Sequence, residues 1–176
     1  PQFLQNITIP DSVTVVGQGA FYKCTALKNV SIPNVTITEL AALRACNSLV
    51  SVVLSNNVSA IANYFLADCY SLTDVTIPNS VTTIGENSFT RCTSIQNIIF
   101  PSKIQSIGNK AFLNTNIKLY DFSSATSIPQ LGGEAITPTK NMRIVVPDSL
   151  YSQWIAATNW ANYASYIIKK SSWNAL

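Results

Sequence analysis

Leu72-Thr-Asp-Val-Thr-Ile-Pro-Asn-Ser-Val-Thr-Thr-Ile-Gly-Glu-Asn-Ser-Phe-Thr-Arg-Cys92 is one unit of a pattern that recurs along the chain. Its opening returns as Leu4-Gln-Asn-Ile-Thr-Ile-Pro10, Leu27-Lys-Asn-Val-Ser-Ile-Pro33 and Ile95-Gln-Asn-Ile-Ile-Phe-Pro101, with a degenerate copy at Leu49-Val-Ser-Val-Val-Leu-Ser55. The closing positions are 10, 33, 55, 78 and 101, so the steps are 23, 22, 23 and 23 residues. The second half, Val81-x-x-Ile84-Gly85-x-x-Ser88-Phe89-x-x-Cys92, returns as Val13-x-x-Val16-Gly17-x-x-Ala20-Phe21-x-x-Cys24 and as Ile104-x-x-Ile107-Gly108-x-x-Ala111-Phe112. Cys24, Cys46, Cys69 and Cys92 keep the same beat. Coincident copies at a fixed period are the signature of a repeat architecture.

Each copy has a physical reading. Leu-x-x-Val-x-Ile ends in alternating apolar residues, which predicts a half-buried strand. The proline that follows removes a backbone donor and ends the strand. Ser88, Phe89 and Cys92 then fall three and four apart, which predicts a single helical or 3-10 turn with one apolar face. Alone, such a unit leaves its apolar side chains half wet. Stacked on its neighbours it closes a continuous core, which predicts a solenoid.

The copies resemble leucine-rich repeats of the 22–23-residue bacterial kind, the BspA-like or Treponema-type class. Residues 75–92 satisfy that class's pattern almost position by position, Cys24 to Pro33 satisfy its opening half, and the resemblance covers about residues 3–122. It implies an α/β repeat fold, a right-handed leucine-rich-repeat solenoid. Short parallel strands line the concave side, short helical or 3-10 turns the convex side, and a helical cap closes the C-terminus. It also implies an exported or surface-anchored protein of an anaerobic, often host-associated bacterium, acting in adhesion or protein binding. Two copies depart from the pattern: Glu39 and Leu43 stand where Gly and Phe are expected, as do Ala62 and Leu66. Longer or register-shifted turns are expected there. Thr115 takes the place of a fifth cysteine, which suggests that the regular array is ending.

Three regions are therefore expected. Residues 1–122 form the array, about five copies of which the first is truncated. Residues 123–141, with Pro129, Gly132, Gly133 and Pro138, form an irregular connection or a partial repeat in which Ile128 takes the role of Ile84. Residues 142–176 form a strand plus a helical cap. In that segment Ile144-Val-Val-Pro147 repeats the strand-proline ending, and Asp148 suits a helix N-cap. Leu150, Tyr151, Trp154 and Ile155 then recur at helical spacing. A second helical stretch is expected over 160–168, with Lys169 and Lys170 at its end.

Composition narrows the function. The chain has 176 residues, 47% hydrophobic and 11% charged, with net charge +3 and no histidine. The apolar fraction is too high for disorder. A charge of +3 without clusters disfavours nucleic acid. Without histidine there is no Ser-His-Asp triad, Cys-His pair or His-containing zinc site. No run approaches the roughly 20 apolar residues that a spanning helix needs, so no direct membrane insertion is expected. Cofactors and metals are not expected: the cysteines are 22 to 23 apart with no Cys-x-x-Cys. They read as a structural ladder of buried thiols acting as small hydrophobes. Gly17-Gln-Gly19 lacks the third glycine of a phosphate loop and reads as a turn. Asp68, Asp74, Glu86 and Asp121 lie on different copies, and Trp154 and Trp160 read as cap core, with Trp173 near the surface.

What remains is surface. Side chains between the inward strand positions project outward. One column is Thr8, Ser31, Val53, Thr76, Ile99 and Asp121; the next is Asn6, Asn29, Ser51, Asp74, Asn97 and Leu119. This neutral, weakly charged face suits a protein or glycan partner better than nucleic acid or an anionic membrane. The expected function is thus a non-catalytic extracellular or cell-surface module that binds such a partner through its concave face. A structural spacer displaying another domain of a longer parent is the first alternative, because Pro1 begins mid-repeat. A carbohydrate-active enzyme is a remote one. Oligomeric state is not legible.

Overall fold

A computed structural model describes residues 3–32 and 37–173, with side chains described for all of these except residues 37 and 38. Pro33 and the last three residues of the expected cap, 174–176, lie outside the described residues. Each turn of the chain begins with a strand. These are β1 (Asn6–Thr8), β3 (Asn29–Ile32), β5 (Ser51–Leu54), β7 (Asp74–Val75), β9 (Asn97–Ile99), β11 (Leu119–Asp121) and β13 (Arg143–Val146). Parallel pairing follows the repeat register: Val30 lies opposite Ile7 and Val52, and Tyr120 opposite Ile98 and Ile144. The expected leucine-rich-repeat solenoid is the observed fold.

A second column of strands was not expected from the sequence. It comprises β2 (Val15–Val16), β4 (Ile37–Thr38), β6 (Ala60–Ile61), β8 (Thr83–Ile84), β10 (Ser106–Ile107) and β12 (Gln130–Leu131). Its members pair in parallel as β2-β4 and β6-β8-β10-β12. At two residues each, they are too short to show alternation, so nothing in the sequence marks them as strands. Leu131, rather than Ile128, occupies the place of Ile84 and Ile107. With β11 and β12 in step, the stack continues through residues 119–131.

The turn segments carry a third ladder. Within one turn, Ala20 N donates to Gly17 O, Tyr22 N to Gly19 O and Cys24 N to Phe21 O, the i→i+3 bonds of a 3-10 turn. The intervening amides point along the stack: Gly19 N donates to Leu40 O, Phe21 N to Ala42 O and Lys23 N to Arg44 O. The same alternation runs on through Leu43 N to Phe65 O, Leu66 N to Ser88 O and Phe89 N to Ala111 O. Leu43 and Leu66 thus replace phenylalanine without the register shift expected of those two copies. Two residues in each of the first five turns are left-handed, as at Tyr64 (φ 57) and Asp68 (φ 63). That conformation costs roughly 1–2 kcal/mol per residue, and the inter-turn bonds offset it.

The core is built from columns of like side chains. Leu27, Leu49, Leu72, Ile95 and Ile117 are fully buried, as are Cys46, Cys69, Cys92 and, within 3%, Cys24. Toward the C-terminus the columns become aromatic. Phe100 stacks on Phe122 at 4.0 Å, and Phe122 meets Trp154 and Trp160, each at 5.4 Å between centroids. The end of the stack consists of a 3-10 turn (Asp148–Leu150), a single helical turn (Tyr151–Trp154), a 3-10 segment (Trp160–Tyr166), β14 (Ile167–Lys169) and a last helical turn (Lys170–Trp173). Residues 167–169 are therefore strand, paired with β13, where helix was expected. Asp148 makes no N-cap bond to its own turn. Its Oδ1 instead accepts from Ser171 N at 3.0 Å and ties down the last helical turn, and hydrogen bonding from the Ser171 side chain, then from its backbone, holds the carboxyl below its usual range. Lys170 begins that turn rather than ending a helix.

Candidate binding face

The outward positions of β1 to β11 form two columns, and the structure treats their two ends differently. Near the N-terminus the second column is satisfied by itself. Asn29 Nδ2 donates to Asn6 Oδ1 at 2.7 Å, and Ser51 Oγ donates to Asn29 Oδ1 at 2.8 Å. Thr8 and Ser31 stand beside them, exposed and half-buried. This part of the face is a polar ladder whose members already have partners.

The middle of the face is different. Val53 is 59% exposed and Ile99 is 67% exposed, with Thr76 on the turn between them. Strands in a sheet lie about 4.8 Å apart, so two apolar side chains two turns apart are separated by roughly 10 Å. Two adjoining depressions lie here and share Thr76. Val53, Asp74 and Asn56 line one; Asn97, Ile99, Phe100 and Asn79 line the other. The second depression lies across a break in pairing. β7 pairs with β5 but not with β9, which begins a separate sheet continued by β11. The second column holds across this point through Thr83 and Ser106, and the turn ladder holds through Asn87 N to Asn109 O. Turns four and five are therefore fastened on two sides and open on the strand face.

Of the expected face residues, Val53, Thr76, Ile99, Asp74 and Asn97 converge on these depressions. Asn6, Asn29 and Ser51 form the ladder, with Thr8 and Ser31 beside it, and Asp121 is half-buried, its Oδ1 accepting from Ser123 N at 2.8 Å. Leu119 is half-buried. Val145, which continues the first column, is fully buried. Sequence reasoning missed Asn56 and Asn79. The signal was present: a polar residue follows the strand-ending position at Asp11, Asn56, Asn79 and Ser102.

The cysteines are free and buried. Three of the four thiols donate back to the preceding turn: Cys46 Sγ to Phe21 O at 3.1 Å, Cys69 Sγ to Leu43 O at 3.2 Å and Cys92 Sγ to Leu66 O at 3.1 Å. Burial pushes the Cys46 thiol from its ordinary 9.0 up to about 12, and burial likewise raises Cys69 and Cys92. Thr115, in the fifth place, donates to Phe112 O of its own turn at 3.0 Å. Among the described residues no three His, Cys, Asp or Glu converge as a metal site would require, and no helix is long and apolar enough to cross a membrane.

Comparison with known proteins agrees with this geometry. Residues 2–118 and 35–143 match the BspA type leucine rich repeat region, in six copies. This chain belongs to the BspA-type leucine-rich repeat family. Among solved structures, a leucine-rich repeat protein of Bacteroides ovatus is 27% identical with TM-score 0.75, over 94% of this chain and 42% of its own. A leucine rich cell surface protein of Faecalibacterium prausnitzii is 26% identical with TM-score 0.68, over 72% of this chain and 34% of its own. The pneumococcal vaccine antigen PcpA shares the fold, with 12% identity and TM-score 0.71, over 95% of this chain and 40% of its own. The BspA-type chain thus spans well under half the length of these proteins. No curated protein matches it significantly. It is a bacterial leucine-rich repeat protein of the surface-protein type.

Proposed function

We propose that this chain is a non-catalytic, extracellular or cell-surface module. It binds a protein or glycan partner across the strand face, centred on Val53, Thr76 and Ile99. The observation that carries this reading is the pair of exposed apolar side chains beside an unpaired stretch of strand. Single exposed apolar residues are ordinary, but here two of the same column flank a recess with open backbone. The recess holds one carboxylate, Asp74, and neutral amides, a surface that suits a neutral or weakly basic partner. Membership in a family of surface-type proteins supports the location.

The self-bonded ladder of Asn6, Asn29 and Ser51 favours a second reading for the first turns, in which they act as a spacer that extends the face. Protein and glycan arrays probed with the wild type and with Val53→Glu plus Ile99→Glu test the proposal. Both positions are exposed, so stability should stay within about 0.5 kcal/mol. A partner lost by at least tenfold in the double variant supports the strand face; undiminished binding removes it.

A further inference from the structure

On the turn segments, away from the strand face, two arginines bridge one carboxylate and a lysine lines the same depression. Asp68 sits in a left-handed turn with its side chain 15% exposed. Arg44 Nε, one turn before, meets its Oδ2 at 3.2 Å, and Arg91 Nη1, one turn after, meets its Oδ1 at 3.3 Å. Each guanidinium spends one of its five donors on Asp68, and the others take no protein partner among the described residues. The Arg44 guanidinium also lies over the Tyr64 ring at 5.3 Å, which fixes its plane. Lys110 stands on the following turn, facing Glu134 at a loose 4.0 Å. All three cations line one shallow depression with Asn114, and among the described residues Asp68 is the only carboxylate in its wall. Asp68 thus spaces and orients two guanidiniums rather than neutralising the cluster. Exposed single-contact ion pairs alone add little to stability, so the excess of three cations over Asp68 and the loosely placed Glu134 is not explained by folding.

We propose that this depression is an oxyanion-binding site for the sulfate or carboxylate groups of an acidic glycan. Arg44 and Arg91 present paired donors, Lys110 adds a point charge, and the Asn114 amide and the Tyr64 edge meet the hydroxyls and the sugar ring. The site is separate from the strand face, so either can fail without the other. A heparin-derived tetrasaccharide is titrated into the 15N-labelled chain, following the arginine Nε–Hε resonances. It should shift those of Arg44 and Arg91, with affinity falling as salt rises. Lys110→Gln leaves the Asp68 bridges intact and should weaken binding about tenfold, the worth of one charge-assisted bond. Arg44→Gln with Arg91→Gln should abolish it in a chain shown by circular dichroism to be folded. Unmoved arginine resonances, or wild-type affinity in Lys110→Gln, overturns the site. Inorganic sulfate or hexaglutamate binding as tightly as the tetrasaccharide overturns the glycan assignment.

Discussion

The two ends of this stack are built from the same repeat, yet they bury it unequally. In the first turn Leu4, Ile7, Val13 and Phe21 are only partly covered, and Phe3 is 90% exposed. At the other end Phe122, Trp154 and Trp160 are sealed together, with Trp154 and Trp160 only 5.3 Å apart. The side chains of the two ends are comparable in apolar character, so the difference lies in what stands next to them. Burial in a solenoid is a property of neighbours, not of the unit. In the last turns, aromatic residues from the cap supply the missing neighbour. Trp160 Nε1 donates to Pro129 O at 2.7 Å and Tyr163 OH to Ile136 O at 3.0 Å, so the cap is joined to the sixth turn by hydrogen bonds as well as by packing.

The largest effect that follows is at Trp154. Its replacement by alanine leaves Phe122 and Trp160 without their shared partner and should cost about 3–5 kcal/mol in urea unfolding. Phe21→Ala at the other end, where the ring is only partly covered, should cost less than half as much. Equal losses would mean that the cap is not what distinguishes the two ends.

Glycine sharpens the comparison. Gly17, Gly85 and Gly108 occupy one place in the repeat and look alike in sequence. A Cβ on Gly108 would meet Glu86 N at 2.6 Å, and one on Gly85 would meet the Ala62 carbonyl carbon at 2.7 Å; on Gly17 it would meet nothing within 4 Å. In each crowded case the obstacle is backbone of the preceding turn, which cannot swing aside. Gly108→Ala should therefore destabilise by about 1–3 kcal/mol, whereas Gly17→Ala should change stability by less than about 0.5 kcal/mol. Similar values for the two would show that the turns sit further apart than the structure places them.

Much of this was legible in the sequence because the repeat states its own register. Once Val30, Val52 and Val75 are seen as one column, strand pairing and core follow. Alternation likewise identified Val53 and Ile99 as outward. What stayed hidden is cooperative. The second strands are two residues long, and they exist because the adjoining turns bond to them. The left-handed conformation of Tyr64 and Ala41 runs against their intrinsic preference and is imposed by the ladder of amides along the stack. The break between β7 and β9 has no mark in the sequence, although it borders the recess at Thr76. Asp148 was misread because an N-cap is a local bond, while its actual partner, Ser171, is 23 residues away.

The smallest effect separates the cysteine turns from the threonine turn that follows them. Cys46 and Thr115 hold equivalent places, but only the thiol ionises in the accessible pH range. Because burial raises the Cys46 value from 9.0 to about 12, the folded chain keeps its proton where the unfolded chain releases it. The stabilisation is thus fully present below pH 9 and declines as pH rises toward 12. Cys46→Ala should cost about 1 kcal/mol at pH 7, the worth of one small buried group with its weak hydrogen bond. That cost should shrink as pH passes 9, since the variant has no thiol to ionise. Thr115→Ala should show a cost that does not change over the same range. Measuring each difference against the wild type at matched pH cancels the ionisation of lysines and tyrosines elsewhere. A Cys46→Ala cost that stays constant from pH 7 to pH 10 would mean that the thiol column is wetter than the full burial of Cys46 implies.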